Sequence, residues 1–227
     1  MGEAEKLTVK VGETDKVSAL LYSADKAKRL DTTLLLAHGA GANQLHSFMR
    51  LIADGLAARG FDVMTFNFLY TEQGRSAPDN KAKLESCYRA VIQEASKHKK
   101  LKKNRLLIGG KSMGGRIASQ VVAEGEDGVG GLVFLGYPLH PPGQPEKLRT
   151  EHWQSIKVPS LFVQGTRDPF GGPDELRPHI KKHRLKADIY AIETGDHSFK
   201  VQKSAGLTQN EVYENIMNRI AEWAGEE

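Results

Sequence analysis

Short apolar runs alternate with longer amphipathic stretches along the chain, and this alternation is its main regular feature. The apolar runs predict strands at residues 17–22, 34–37, 61–66, 105–108, 131–136, 160–164 and 187–192. Apolar residues at helical spacing predict helices at residues 48–59, 79–97, 112–123, 174–182 and 208–223. Such alternation is typical of an α/β fold, with a mostly parallel central sheet and helices on both faces. No internal repeat or linker-like change in composition is visible, so a single domain over residues 1–227 is expected.

The composition is that of a globular protein, because 39% of the residues are hydrophobic and 26% are charged. No apolar run reaches the length of about 18 residues that a membrane span needs, so no membrane partner is expected. The first residues are acidic and lack the apolar stretch of a secretory signal, which predicts a cytoplasmic location. The one cysteine, Cys87, excludes an intrachain disulfide and is interpreted as a buried thiol.

Residues 110–114 read Gly-Lys-Ser-Met-Gly and fit the pattern Gly-x-Ser-x-Gly. They follow the predicted strand 105–108 and open the predicted helix 112–123, which is the context of a nucleophilic serine on a sharp turn. Glycine-rich turns of this kind also bind phosphates, but the spacing of a phosphate-binding loop is absent. Ser112 is therefore the predicted nucleophile.

A second glycine-rich turn follows the predicted strand 34–37 and reads His-Gly-Ala-Gly. A serine nucleophile needs two N–H donors for the oxyanion that forms when it attacks a carbonyl. The backbone N–H groups of Ala40 and Met113 are the predicted donors. The alternative is an ordinary turn between strand and helix, and His38 is interpreted as a residue that orients this loop.

Two further polar residues follow predicted strands. Asp168 comes after strand 160–164 and His197 after strand 187–192. A histidine can take the serine proton while a carboxylate fixes its tautomer, so Asp168 and His197 are the predicted partners of Ser112. Asp196 and Glu193 are the alternative acids, but neighbouring side chains on an extended loop usually diverge, which disfavours Asp196.

The substrate pocket is predicted less directly. The segment 137–158 is rich in proline and too short for a cap domain, so an open site is expected, with Gly41 and His140 in its wall and Trp153 at its rim. The loop 67–78 is a second candidate wall. Of the other histidines, His152 could also line the pocket, His179 and His183 are interpreted as solvated, and His98 belongs to the basic run 97–105.

Five segments together resemble a known family: residues 38–41, 109–116, 137–142, 165–171 and 196–198. The resemblance is to the small, lidless α/β-hydrolases, a family that includes uncharacterised bacterial hydrolases and animal testis-expressed and non-specific-lethal-complex relatives. It implies an α/β-hydrolase fold without a cap domain, a triad in the chain order Ser112, Asp168, His197, and no required cofactor or metal. The chain more distantly resembles dienelactone hydrolases, which suggests small ester or lactone substrates, although their nucleophile is a cysteine.

These observations predict a serine hydrolase that acts on a small ester or thioester through an acyl-enzyme. Two alternatives stay open: a peptidase with the same triad, and a non-catalytic interaction module that retains the fold. The basic run 97–105 is interpreted as the solvated end of a helix, so nucleic acid is not an expected partner. The oligomeric state is left open.

Overall fold

The computed structural model describes residues 3–226, and its centre is a sheet of eight strands in the order β1-β2-β4-β3-β5-β6-β7-β8. The strands are β1 Glu5–Val11, β2 Asp15–Tyr22, β3 Thr32–Ala37, β4 Phe61–Phe66, β5 Arg105–Lys111, β6 Val129–Leu135, β7 Ser160–Gly165 and β8 Ala187–Ile192. Strand β2 pairs antiparallel with β1 and β4, and the other pairs are parallel. The carboxyl ends of β3 to β8 therefore share one edge.

Within the described part of the chain, six α-helices connect and cover the strands: α1 Ser47–Ala57, α2 Leu69–Glu72, α3 Lys81–Lys97, α4 Met113–Ala123, α5 Pro173–His183 and α6 Gln209–Glu226. Apolar side chains of α1 and α6 form one buried cluster with alternate strand residues such as Leu34 and Leu36. Side chains of α3, α4 and α5 form the other, with the intervening Leu35 and Ala37. Successive side chains of a strand point to opposite faces, so the helices cover both faces as predicted.

The predicted fold class is confirmed, and the principal difference is the first strand. The segment Glu5–Val11 alternates polar with apolar residues, and Val9 and Val11 are its buried side chains. It lies at the edge of the sheet and pairs only with β2. A half-exposed edge strand with two lysines carries a weak apolar signal, which is why sequence reasoning missed it.

The connection between β6 and β7 contains no cap domain. Residues 136–159 hold a single 3-10 turn, Trp153–Ser155, and otherwise run as loop. Trp153 does not lie at a pocket rim as predicted, because its ring is fully buried and packs against Tyr137 and Phe162. Burial of so large an apolar surface anchors this loop to the α3–α5 side of the sheet. Across residues 3–226, no helix is long and apolar enough to span a membrane.

Candidate active site

Ser112 occupies the turn between β5 and α4 with a strained backbone. Its φ of 50° and ψ of −115° lie in a region that side-chain-bearing residues rarely adopt. The turn is held by a 3.0 Å hydrogen bond from Ser112 N–H to the carbonyl of Leu135 on β6. Ser112 O in turn accepts from Arg116 N–H at 3.1 Å, which starts the helix directly after the serine.

The glycines on either side of Ser112 permit close contact with the end of β3. A Cβ at Gly110 would lie 2.4 Å from the carbonyl oxygen of Ala37, and one at Gly114 would lie 2.5 Å from the same atom. Atoms at such distances overlap, so residues with side chains are excluded unless the backbone moves. The Gly-x-Ser-x-Gly pattern therefore reflects the packing of strand, turn and helix.

Asp168 lies in the loop after β7, and its carboxylate is buried and fixed. One oxygen, Oδ1, accepts from the N–H of Phe170 at 2.8 Å. The other, Oδ2, accepts from Gln164 Nε2 at 2.9 Å. Because Gln164 is itself buried on β7, the sheet holds the orientation of this acid.

His197 bridges the acid and the serine. Its Nδ1 lies 2.7 Å from Asp168 Oδ2, and its Nε2 lies 2.9 Å from Ser112 Oγ. A carboxylate only accepts, so Nδ1 carries the proton and Nε2 is free to accept from the Ser112 hydroxyl. The Phe170 ring lies 4.3 Å from the imidazole, centroid to centroid, and limits its rotation. This arrangement suits proton transfer from the serine to the histidine.

The alternative acids take other positions. Asp196 Oδ1 accepts from the N–H groups of Ser198 and Lys200 at 2.7 and 2.9 Å, so this carboxylate shapes the histidine loop. Glu193 is exposed. The structure brings Asp168, and neither of these residues, to the imidazole of His197.

Lys111 is a feature of the site that sequence reasoning did not identify. Its Nζ donates to the carbonyl of His197 at 2.6 Å and lies 5.3 Å from the centre of the Phe199 ring. Burial lowers the pKa of Lys111 to about 8, although the negative charges of Asp168 and Asp196 act in the opposite direction. The available signal in the sequence was a lysine at the end of β5, directly before the predicted nucleophile.

The glycine-rich turn after β3 lies beside the serine. A Cβ at Gly39 would be 3.5 Å from that of Ser112, and both Ala40 and Met113 line the same cavity as the serine. Met113 is the first residue of α4, so its N–H has no acceptor within the helix. His38 Nδ1 bonds to the carbonyl of Gly39 at 2.8 Å, which matches its predicted role in orienting the loop.

Ser112 and His197 lie in the wall of a cavity of about 790 Å³ at the carboxyl edge of the sheet. One side of this cavity comes from the α1–α6 side of the sheet and is largely apolar, with Phe48, Leu51 and Tyr213. The other side comes from α3, α4 and the segment 136–159, and includes Leu84, Arg116 and Arg149. His46 and Lys200 also line the α1–α6 side, and the two arginines lie on the other side.

Gly41 and His140 were predicted in this wall, and the structure places neither of them there. His140 is buried. Its Nδ1 lies 2.8 Å from the carbonyl oxygen of Pro141, and its Nε2 lies 3.0 Å from Glu175 Oε2. These bonds turn its ring toward α5. Gly41 forms the outer part of its turn with a φ of 72°. Of the predicted wall 67–78, Pro78 lines the cavity.

A serine–histidine pair and the single cysteine lie outside the cavity wall. His152 Nε2 lies 2.7 Å from Ser119 Oγ, a second serine–histidine pair whose serine is fully buried. Burial raises the pKa of the Cys87 thiol to about 12, which keeps it protonated. Within residues 3–226, no three His, Cys, Asp or Glu side chains are grouped so that they could hold a metal ion.

Several solved structures share the fold of this chain. The chain resembles the structure of an α/β serine hydrolase homologue from Coxiella burnetii, with a TM-score of 0.72, 15% identity, and coverage of 99% of this chain and 97% of the other. It resembles a lidless serine hydrolase from Xanthomonas campestris with a TM-score of 0.71, 17% identity, and coverage of 92% of this chain and 94% of the other. It also resembles a dienelactone hydrolase from Anabaena variabilis, with a TM-score of 0.75, 19% identity, and coverage of 98% of this chain and 97% of the other.

These similarities establish only the fold. The family is shown by a match to the sequence itself. Residues 30–225 match the sequence profile of the alpha/beta hydrolase domain family. The matched region contains the serine turn, the acid loop and the histidine loop described above. Because the match spans most of the chain, the protein belongs to the α/β-hydrolase family.

Proposed function

We propose that this protein is a serine hydrolase that cleaves small esters or thioesters through an acyl-enzyme. The observation that carries the proposal is the continuous chain of hydrogen bonds from Asp168 through His197 to Ser112, which ends in an open cavity. A non-catalytic module has no need for a serine held in a strained turn at that position.

In the proposed reaction, Ser112 Oγ attacks the carbonyl carbon of the substrate while its proton passes to His197 Nε2. The N–H groups of Ala40 and Met113 stabilise the oxyanion of the tetrahedral intermediate. The intermediate collapses, the bond to the leaving alcohol or thiol breaks, and that group takes the proton from His197. Water then attacks the acyl-serine by the same route, which releases the acid and restores the serine hydroxyl.

The cavity supports a small substrate. Its volume of about 790 Å³ is that of an ordinary small-molecule site, and the loop 136–159 adds no cap over it. Phe48 and Leu51 supply apolar surface for a short acyl or alcohol group. The narrower resemblance to the testis-expressed and non-specific-lethal-complex relatives remains a prediction.

The test is covalent labelling with a fluorophosphonate probe, followed by mapping of the labelled peptide. We expect labelling at Ser112 that is lost in Ser112→Ala. Ser119→Ala is the matched control, since Ser119 also lies within hydrogen-bond distance of a histidine but is fully buried. This control should keep full labelling, and labelling that persists in Ser112→Ala would refute the nucleophile assignment.

Turnover of short p-nitrophenyl esters is the second measurement. Replacement of a triad member lowers kcat by roughly 10⁴- to 10⁶-fold in comparable enzymes, and Ser112→Ala is expected to show a loss of that order. Absence of both labelling and ester turnover in the wild-type protein would favour the interaction module. Turnover of peptides but not of esters would favour the peptidase.

A further inference from the structure

Two arginines stand in the wall of the cavity on the α4 side. Arg116 follows Ser112 by one helical turn, a rise of about 5–6 Å along α4, and its N–H bonds to the Ser112 carbonyl at 3.1 Å. Arg149 lies in the loop between β6 and β7, and its main-chain N–H donates to the carbonyl of Leu139 at 2.9 Å. Both guanidinium groups thus belong to segments that the fold holds next to the nucleophile.

Neither arginine has an acidic partner among the described residues. Arg116 Nε is buried without any hydrogen bond, and the Arg149 guanidinium makes one long bond, 3.3 Å from Nη1 to the carbonyl of Pro138. Two other charged residues of the wall are in ion pairs: Asp79 with Arg75 at 2.7 Å, and Lys81 with Glu124 at 2.6 Å. The positive charge on this side of the cavity is therefore not neutralised by the protein.

The two arginines also act on each other. Burial lowers the pKa of Arg149, and the positive charge of Arg116 lowers it further. Like charges at a partly buried site repel each other, and an anion between them removes that repulsion. The planar guanidinium group donates paired hydrogen bonds that match the oxygens of a carboxylate or a phosphate.

We infer that Arg116 and Arg149 bind an anionic oxygen group of the substrate, a carboxylate or a phosphate, carried on the part that lies on the α4 side of Ser112. This inference rests on the proposed hydrolase function and adds a substrate class to it. The opposite side, with Phe48 and Tyr213, receives an apolar part. The substrate is thus an ester that is anionic at one end and apolar at the other.

A pair of matched esters tests this substrate class. Both 4-acetoxybenzoate and methyl 4-acetoxybenzoate release a phenol, but only the first carries a carboxylate. The ratio of kcat/KM for the charged ester to that for the neutral ester should fall about 10- to 100-fold in Arg116→Gln, because a hydrogen bond to a charged group is lost. The value of kcat/KM for the neutral ester should fall less than that for the charged ester, because the neutral ester offers no charged group to the guanidinium.

Further variants separate binding from structure. Arg149→Lys keeps a cation and a donor to Pro138 but loses the paired geometry, so it should lower the same ratio by a smaller factor than Arg149→Gln. Arg177→Gln is the control, since Arg177 is exposed on α5, and it should keep the wild-type ratio. A wild-type ratio in both Arg116→Gln and Arg149→Gln, with the neutral ester still cleaved, would overturn the inference and leave the hydrolase proposal intact.

Binding without turnover gives an independent measurement. Titration calorimetry compares 4-acetamidobenzoate, 4-acetamidophenyl phosphate and the neutral 4-acetamidobenzamide, none of which contains a carboxylic ester that the proposed reaction would cleave. The anions should bind more tightly than the neutral compound, and the double replacement Arg116→Gln, Arg149→Gln should abolish the difference. The anion that binds with the higher affinity shows whether the two arginines prefer a carboxylate or a phosphate. Equal affinity for all three compounds would refute the inference even if the protein has no esterase activity.

Discussion

The ammonium group of Lys111 donates a 2.6 Å hydrogen bond to the main-chain carbonyl of His197. Lys111 directly precedes Ser112, so the nucleophile turn and the histidine loop are joined at a second point besides the bond between Ser112 and the imidazole. The ammonium nitrogen also lies over the Phe199 ring, 5.3 Å from its centre, and Phe199 belongs to the same histidine loop. This cation therefore fixes the backbone of the residue that is proposed to accept the serine proton.

Lys111→Met keeps a long apolar stem but removes the donor. We expect kcat for a p-nitrophenyl ester to fall about 10-fold with little change in KM, because the unpaired carbonyl of His197 loosens the loop that positions the imidazole. Steady-state kinetics with both parameters is the measurement. Lys203→Met, on an exposed turn, should behave as wild type, and an unchanged kcat in Lys111→Met would show that the bond has no positioning role.

The identity of the acid is tested by two matched replacements. Asp168→Asn should lower kcat by roughly 10³- to 10⁴-fold, since an amide at this position can stabilise the wrong tautomer of His197. Asp196→Asn keeps an acceptor oxygen for the N–H groups of Ser198 and Lys200, so it should cost only a few-fold. Comparison of kcat for the two variants decides between the acids, and a larger loss in Asp196→Asn would reverse the assignment.

The packing of the serine turn predicts a large effect at one glycine. Gly110→Ala places a methyl group 2.4 Å from the Ala37 carbonyl oxygen, and we expect the free energy of unfolding to fall by at least about 2 kcal/mol. Gly225→Ala is the control, because nothing lies within 4 Å of a Cβ built there in α6. It should be neutral or stabilising by up to about 1 kcal/mol. Urea denaturation of both variants is the measurement, and equal stability would contradict the proposed clash.

The contact between half-buried His152 and buried Ser119 predicts acid sensitivity. Burial lowers the pKa of His152 to about 4, and the positive charge of Arg116 acts in the same direction. An unfolded histidine binds a proton below about pH 6.5, so between pH 6.5 and 4 the unfolded state holds the additional proton. Stability should therefore decrease as the pH falls through this window, with a contribution from His152 of at most about 1.4 kcal/mol per pH unit.

The replacement His152→Gln tests this contribution, since glutamine can still bond to Ser119 but does not titrate. Urea denaturation from pH 7 to pH 4 should give a shallower loss of stability in the variant than in the wild type. Parallel curves for the two proteins would show that another group controls the acid response.

Much of the fold follows from local sequence patterns. The runs predicted at 61–66 and 187–192 coincide with β4 and β8, and the helix predicted from residue 208 begins with reciprocal hydrogen bonds between Thr208 and Glu211. The first strand was missed because an edge strand buries few side chains. Trp153 and His140 were assigned to the pocket because a loop sequence does not indicate which of its side chains fold inward.

The sequence by itself determined the strained serine turn, since its glycines and the flanking strand and helix are encoded within a few residues. It also determined that serine, acid and histidine each follow a strand. Only the tertiary structure decided that Asp168 rather than Asp196 reaches His197, 29 residues away, and that Lys111 bonds across 86 residues. Such contacts depend on strand register and on the paths of loops after the strands, which no local pattern specifies.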